Sequence, residues 1–600
     1  MNLAADLRLD PTLAADPRLR AALAAGSERV AAWADLLDRI NVFPVADGDT
    51  GRNLVLSLQP LRDTGRSAQE LIEALLLAAR GNSGNIAAQF FQGLLAGEDA
   101  GDLAGAVHRG RELAWRAVAE PRRGTMLTLF DSLAAGLAPE GEPEVPPRGG
   151  EGTGAAGLER LLDRLEQAVL DSPGQLAELE RAGVVDAGAL GMYIFFDAFL
   201  HHLAGAPDQL RSIADRFRGT LEVGAGFQGR SEQGFCIDAV VRAEQAPALV
   251  AELRSMGESV VTMQRGDLVK VHLHADDPDR VRGRLQQRAD LLRFASDDMQ
   301  QQAAGFLAPA DSGAIHVMTD AAGSLTAADA RRLRMSLLAS YVHIGPLAMP
   351  EIHVQPEELY AAMRRGESVS TSQASVYERH QHYRKALGMH RRVLYICVGS
   401  VFTGNHETAA AWKRAADEDD RLCLIDTGAA SGRLALIALA AAEHARRVDD
   451  PDAVVRMARW AVAASREWIF LDQLKWLAAG GRLSKPGAFF GDLFHVKPVV
   501  SPTPEGAKKV GVVRNRQAQL EFAFARLDAA HTADGPGRVL IEYTDNRDWV
   551  AAEVAPQCEQ RYGGSEVLLQ PMSLTSGAHM GPGTWAVAYL PRPGQEEDGR

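Results

Sequence analysis

Cysteine is scarce in this 600-residue chain. Four thiols, Cys236, Cys397, Cys423 and Cys558, are too few for a disulfide-built scaffold, so a reducing compartment is expected. Basic charge is in deficit as well: Lys plus Arg is 64 against 78 Asp plus Glu, and a net charge of −14 argues against a general nucleic-acid binder. Long apolar runs are missing. The longest one near a helical pattern, Leu434–Ala442, falls well short of the roughly 20 residues that span a bilayer. The opening MNLAADLRLDPTLAADPRLR breaks its apolar residues with Asp and Arg every few positions, unlike a secretory signal. What is present is 46% hydrophobic, ordinary for a globular protein, in a chain too long for one core. The expectation is a soluble cytoplasmic protein of three or four domains.

The first 215 or so residues are rich in Ala and Leu, with apolar residues at helical spacing over Ala21–Ile40, Ala68–Leu95 and Leu158–Leu170. This third reads as all-helical. Within it, Ala138–Gly157 is Gly, Pro and Glu without periodicity, which predicts a mobile surface loop. From about Gly234 the character changes. GFCIDAVVRAE, ESVVTMQRG and DLVKVHLHADD alternate apolar and polar residues as half-buried strands do, with a helix suggested at Pro247–Met256. Beyond Ala304, short β-like runs at Ala314–Met318, Val393–Val398, Arg421–Ile425 and Arg538–Tyr543 alternate with helical stretches. That order predicts parallel strands with crossover helices.

Ile40–Asn53, INVFPVADGDTGRN, is the most informative stretch. Asp47 and Asp49 flank Gly48 and precede Gly51, so a tight turn can aim both carboxylates into one site. Hard oxygen ligands on such a turn suit Mg²⁺ shared with nucleotide phosphates, although a plain D-G-D surface turn has the same letters. Arg80-Gly-Asn-Ser-Gly84 would offer N–H groups to phosphate oxygens at a helix start, or simply cap it. Gly124–Thr128 (GTMLT) and Gly183–Gly191 (GVVDAGALG) sit at similar helix boundaries.

In this order and spacing the four pieces resemble the DhaL-type kinase domain of dihydroxyacetone kinases, and most closely its relative in bacterial fatty acid kinase. The resemblance covers residues 1–215. It implies an all-α helical barrel that binds ATP through magnesium, with Asp47, Asp49 and Asn41 holding Mg²⁺. Thr50, Asn53, Gly81, Asn82, Ser83, Gly84, Thr125, Met126 and Asp186 would line the nucleotide pocket. Ala46 and Arg52 depart from the family's usual Pro and Thr.

His272 and His274, at i and i+2 on a strand, face the same side, and pairing could bring Cys236 close. One thiolate and two imidazoles fill three positions of a tetrahedral zinc site; two surface histidines and a core cysteine would look the same. GFCIDA, VKVHLHADDP and Asp297–Gln302 (DDMQQQ) resemble the linker domain of fatty acid kinase, which implies an α+β domain over residues 220–305 and zinc on Cys236, His272 and His274.

After residue 312 come MTDAAGSL (318–325), TSQAS (371–375), GSVFTG (399–404), GGRLS (480–484), Lys497-Pro498 and HMGPG (579–583). Each puts hydroxyls, glycines or one cation at the apparent end of a strand, where open α/β sheets bind ligands; singly, each could be a cap or turn. As a set they resemble the DegV family, the fatty-acid-binding partner of fatty acid kinase, over residues 312–592 as a two-lobed α/β region. The resemblance implies that Thr371, Ser400 and His579 contact the fatty acid carboxylate. His579 and Arg482 would serve the reaction, while Arg514 holds the head group or docks the kinase domain. Ala321, Ala322, Ala374, Gly399 and Asn405 depart from the family pattern and leave ligand choice open.

The combined expectation is a fatty acid kinase with its own carrier domain, using ATP, Mg²⁺ and Zn²⁺ to make an acyl phosphate for acceptor enzymes. It allows transient membrane contact and a homodimer through the kinase domain, and no nucleic acid. The competing expectations are a dihydroxyacetone-type kinase and a non-catalytic lipid-binding protein.

Overall fold

The structure is a computed structural model that describes residues 16–96, 103–138, 153–224, 226–227, 234–243, 246–299, 313–345, 347–479 and 497–594. By internal contact the chain divides into two units, Met1–Pro309 and Ala310–Arg600.

Helix α1 (Pro17–Arg39) begins where Asp16 accepts a hydrogen bond from the Arg18 amide and Pro17 supplies a preset first turn. Its buried Leu19, Leu23, Val30, Leu36 and Leu37 recur at helical spacing and face inward. It packs on α2 (Thr50–Leu58), which meets α3 (Gly81–Leu95), then α4 (Leu103–Ala117), α5 (Met126–Leu137) and α6 (Ala187–Leu203), which returns to α1. Six described helices thus close a ring, as the barrel expectation requires. Phenylalanines fill it: the Phe90 and Phe130 rings stack with centroids 4.3 Å apart, and Phe196 meets both edge-on. Two differences from the sequence reading appear. The periodic stretch 68–95 breaks at Ala79–Arg80 into two helices, and the helix Thr153–Leu170 starts ahead of Gly157, inside the expected loop. Residues 139–152 of that loop lie outside the described residues.

In the same unit, strands β1 (Phe235–Arg242), β2 (Glu258–Arg265), β3 (Leu268–Ala275) and β4 (Asp290–Asp298) form an antiparallel sheet in the order β2-β3-β1-β4. Helices α7 (Ala246–Leu253) and α8 (Pro278–Arg288) pack on it. Strand alternation divides the sheet into two faces. Ile237, Ala239, Val241, Val269, Val271 and Leu273 join Leu249, Leu253, Val281 and Leu285 in one apolar cluster. Cys236, Asp238, Lys270, His272 and His274 take the opposite face. Neither α8 nor β4 was anticipated: α8 is mostly charged or polar with only Val281 and Leu285 buried, and much of β4 is exposed, so neither shows a clear apolar pattern.

The second unit contains an all-parallel sheet of β5 (His316–Asp320), β6 (Ser336–Leu338), β10 (Val393–Cys397) and β11 (Leu422–Asp426), in the order β11-β10-β5-β6. β7 (Ser340–Ile344), β8 (Leu347–Pro350) and β9 (Val369–Gln373) form a small antiparallel sheet. Helix α9 (Ser431–Ala445) follows. The remaining sheet holds β12 (Arg466–Phe470), β13 (Lys497–Thr503), β14 (Gly506–Val513), β15 (Gly537–Tyr543), β16 (Glu566–Pro571) and, after α10 (Leu574–Met580), β17 (Trp585–Pro591). Only β15 and β16 pair in parallel there; the other pairings are antiparallel. This corrects the expectation of parallel strands throughout. The apolar run Leu434–Ala442 is the middle of α9, buried against both larger sheets. No helix of the described residues is long and apolar enough to cross a membrane.

Candidate functional site

The start of α2 carries the aspartate turn. Gly48 takes a positive φ of 68°, and the Gly51 and Arg52 amides donate to half-buried Asp38 at 2.6 and 3.1 Å, tying the turn to α1. Asn41 Nδ2 donates to Asp47 Oδ1 at 2.5 Å, and the Asn53 side chain hydrogen-bonds Asp49. Burial, and for Asp47 the adjacent Asp49, push both carboxyls above the usual range. Burial likewise raises Asp38 to about 7. Paired, half-buried acids held this way would be relieved by a cation, and hard oxygens suit Mg²⁺.

The α3 start lies beside them. Gly81 has φ 58°, and a Cβ there would come within 2.1 Å of Asn53 Nδ2, so the RGNSG turn needs glycine on both counts. Ser57 Oγ receives the Arg80 amide at 2.9 Å and locks the turn onto α2. Thr50 Oγ1 and Ser83 Oγ lie 3.4 Å apart.

The polar face of the middle sheet completes the site. Register sets Cys236 opposite His274 and Asp238 opposite His272. Ligand atoms of Cys236, His272 and His274 lie within 4.8 Å of one another, all three buried. His272 Nε2 and His274 Nδ1 are buried without a hydrogen-bond partner, an arrangement that a metal would satisfy. Burial, then the neighbouring His272, lower His274 to about 3, keeping it neutral as a ligand must be. Burial and nearby carboxylates raise the Cys236 thiol, so a cation is needed to draw off its proton. This donor set fits tetrahedral zinc.

Asp47, Asp49, Thr50, Gly81, Asn82 and Ser83 share one cavity with Cys236, His272 and His274. Two motifs that sequence spacing could only treat separately therefore meet. Gly84 sits behind it, against Ser57. Met126 and Asp186 gather with Ser83 around Gly188, beside rather than in the cavity, and burial lifts Asp186 to about 7. Thr125 caps α5. Sequence reasoning missed Asp38, Asn85, Asp238 and Lys270. An ionisable residue inside an apolar strand was the available signal for the last two.

In the second unit a cavity with about 790 Å³ of empty volume, part of it open to solvent, has apolar walls including Val398, Phe402, Ile469, Val500 and Met580. Thr371 on β9 and His579 on α10 line it, with Thr371 Oγ1 2.9 Å from His579 Nε2. Ser340, Ser431, Thr575 and Ser576 add hydroxyls. Apolar walls with a few convergent polar groups are what a lipid acid requires. Ser400 is not among the lining residues. The β10–β11 register brings Asp426 alongside, and Ser400 donates to it through both Oγ, at 2.5 Å, and its amide, at 2.9 Å. Phe402 and Thr403 of the same turn reach the cavity instead. Arg514 is exposed beyond β14, and Arg482 lies outside the described residues.

Three family models match successive stretches: the DAK2 domain over residues 44–201, the FakA-like middle domain of fatty acid kinase over 232–306, and the DegV family of uncharacterised proteins over 314–592. One chain carries all three. Among curated relatives, protein YloV of Bacillus subtilis is 30% identical over 308 residues, 46% of this chain and 54% of that protein. An uncharacterised protein of Staphylococcus haemolyticus is 27% identical over 308 residues with the same coverage. The chain spans about half the length of these curated relatives. Solved structures similar to it include a DegV family protein of Thermus thermophilus described for its fatty acid binding (24% identity, 46% of this chain, 99% of that one, TM-score 0.43). DegV of B. subtilis, a fatty acid binding protein, shows 20% identity over 47% of this chain and 100% of that one, TM-score 0.43.

Proposed function

We propose that this chain is an ATP-dependent fatty acid kinase whose DegV region holds the acid that its DAK2 region phosphorylates. The observation that carries the reading is the convergence of Asp47 and Asp49 with the Cys236–His272–His274 set on one cavity beside the RGNSG turn. Phosphoryl transfer asks mainly for positioning and charge neutralisation, and buried acids beside a helix start are built for that. Magnesium, when bound by Asp47 and Asp49 with Asn41 at hand, supplies the positive charge that binds phosphate oxygens, and Cys236, His272 and His274 would hold zinc. The Asn82 and Ser83 amides and the Thr50 hydroxyl orient the triphosphate.

The second cavity supports a fatty acid as the acceptor. Its apolar walls would bury an alkyl chain, while Thr371 and His579 bind the carboxylate. The carboxylate oxygen attacks the γ-phosphorus, a P–O bond to the acid forms, and the bond to ADP breaks. The acid reacts already deprotonated, so no general base is required. Having both regions on one chain raises their effective concentration to about the millimolar range, so weak docking suffices.

The test is transfer of labelled γ-phosphate from ATP by the full-length protein to oleate or to dihydroxyacetone. Label in the oleate fraction supports the reading. Label in dihydroxyacetone alone moves the protein to the ketose kinases, and label in neither leaves a lipid-binding protein.

A further inference from the structure

Asp238 falls within GFCIDA, yet the sequence reading gave it no role. It projects from β1 toward the helical ring and is 6% exposed. Its Oδ2 accepts from the Gly81 amide at 3.1 Å. Its Oδ1 accepts from Asn85 Nδ2 at 3.2 Å and lies 3.2 Å from Lys270 Nζ and 3.5 Å from His272 Nδ1. Asn85 Nδ2 also donates to the Gly81 carbonyl at 2.7 Å, so both ends of the Gly81 residue are fastened to one cluster.

Such an arrangement is not what stability alone would select. Lys270 is 1% exposed, and stripping water from an ammonium and a carboxylate costs about as much as their attraction returns, so an apolar pair would serve the sheet equally well. The pair needs a reason to be charged, and its contacts provide one. A carboxylate facing one nitrogen of an imidazole fixes the proton there and leaves the other nitrogen's lone pair for a metal. His272 Nδ1 lies 3.5 Å from Asp238 Oδ1 and 3.9 Å from Cys236 Sγ, while Nε2 is the buried atom with no partner; a proton on Nδ1 shared toward Asp238 leaves Nε2 for the metal. The second oxygen occupies the Gly81 N–H, so Gly81 cannot turn that donor toward a ligand. Asn82 and Ser83, which follow it, line the cavity as well.

We propose that Asp238, charge-balanced by Lys270, is a positioning residue that fixes the His272 tautomer for zinc and, through Gly81, sets the RGNSG turn for nucleotide phosphates. One carboxylate thereby couples the metal set to the phosphate turn, so disturbing either end is felt at the other. The inference rests on the nucleotide and zinc parts of the function proposed above and is independent of the acyl acceptor.

The test uses the full-length protein with three readouts besides turnover: zinc per chain, the rate of zinc transfer to a chromophoric chelator, and affinity for Mg²⁺ with a non-hydrolysable ATP analogue. Asp238→Asn keeps the shape but loses the charge. It should weaken zinc retention 10- to 100-fold, as loss of a ligand-orienting carboxylate does, and weaken analogue binding with it. Because Asp238→Asn alone leaves the Lys270 ammonium buried without its counter-charge, Asp238→Asn with Lys270→Met is the second variant. It should recover the thermal midpoint but not zinc retention or analogue affinity. If the double variant regains all three, Asp238 is only a structural ion pair and the proposal is overturned. Single-variant zinc and analogue affinities equal to those of the wild type, or a wild type that carries no zinc from metal-replete medium, overturn it too. A wild type that binds zinc and analogue, loses both in Asp238→Asn, and makes no acyl phosphate upholds this inference while removing the acyl reading.

Discussion

Two half-buried carboxylates beside one another repel, and burial adds to the cost of charging them, so Asp47 and Asp49 are both held above the usual range, an arrangement that a cation would relieve. Replacing Asp47 with Ala should reduce phosphoryl transfer by roughly 10²- to 10³-fold or more, the scale of losing a pre-placed electrostatic group, with the fold kept as judged by circular dichroism. At the neighbouring set, His274→Ala should lower bound zinc from about one per chain to near zero by elemental mass spectrometry. A wild-type zinc content in that variant would remove His274 from the ligands. Motifs were the legible part of this scale: DGDTG, RGNSG and VHLH advertise their chemistry in adjacent letters. Asp238 and Lys270 carried a signal, charge inside an apolar strand, but their partners were not legible, because those lie far away in sequence and only the fold brings them together. The hydrogen bonds from Ser400 to Asp426 were out of reach of the sequence for the same reason, since they depend on how β10 and β11 pair.

At the scale of elements, two close approaches set the frame of each unit. A Cβ on Gly51 would sit 2.0 Å from the Ala34 carbonyl oxygen, so α2 lies directly on the α1 backbone. Gly51→Ala should force the helices apart and cost about 1–3 kcal/mol, read as a fall of several degrees in the first unit's thermal midpoint. In the second unit, Glu351 accepts from the Thr575 amide at the start of α10 at 2.8 Å. Burial, only partly offset by that donor, raises its carboxyl from an ordinary 4.5 to about 7. The folded state therefore binds this proton more tightly than the unfolded chain does. The contribution is full below about pH 4.5 and is lost as pH rises through 7, on the order of 3 kcal/mol over that window. Glu351→Gln has no proton to lose, so its stability relative to the wild type should rise between pH 4.5 and 7.5 in thermal unfolding series. Parallel profiles for the two proteins would show that Glu351 is not the source. Helix and strand periodicity located most elements here, but not their pairing direction. β12 pairs antiparallel with both β13 and β17, a direction that periodicity within each strand does not encode.

For the whole molecule, the sequence was most readable in the succession of regions. An Ala- and Leu-rich helical third, an alternating strand segment and a mixed α/β half follow one another, and three family models match them in that order. Less readable was how closely the first two regions cooperate, since the shared cavity of aspartates, thiol and imidazoles appears only when the middle sheet turns its polar face to the helical ring. The function proposed for the full chain uses both that cavity and the apolar-walled one of the second unit, and it should fail when either is damaged. The most direct measurement is hydroxylamine trapping of acyl phosphate: full-length protein, Mg-ATP and oleate, with oleoyl hydroxamate counted by mass spectrometry. The wild type should give ATP-dependent hydroxamate, Asp47→Ala almost none, and Thr371→Ala and His579→Ala a reduced yield. Oleate-loaded wild type that forms no hydroxamate, or Asp47→Ala that forms as much as the wild type, would contradict the proposed function.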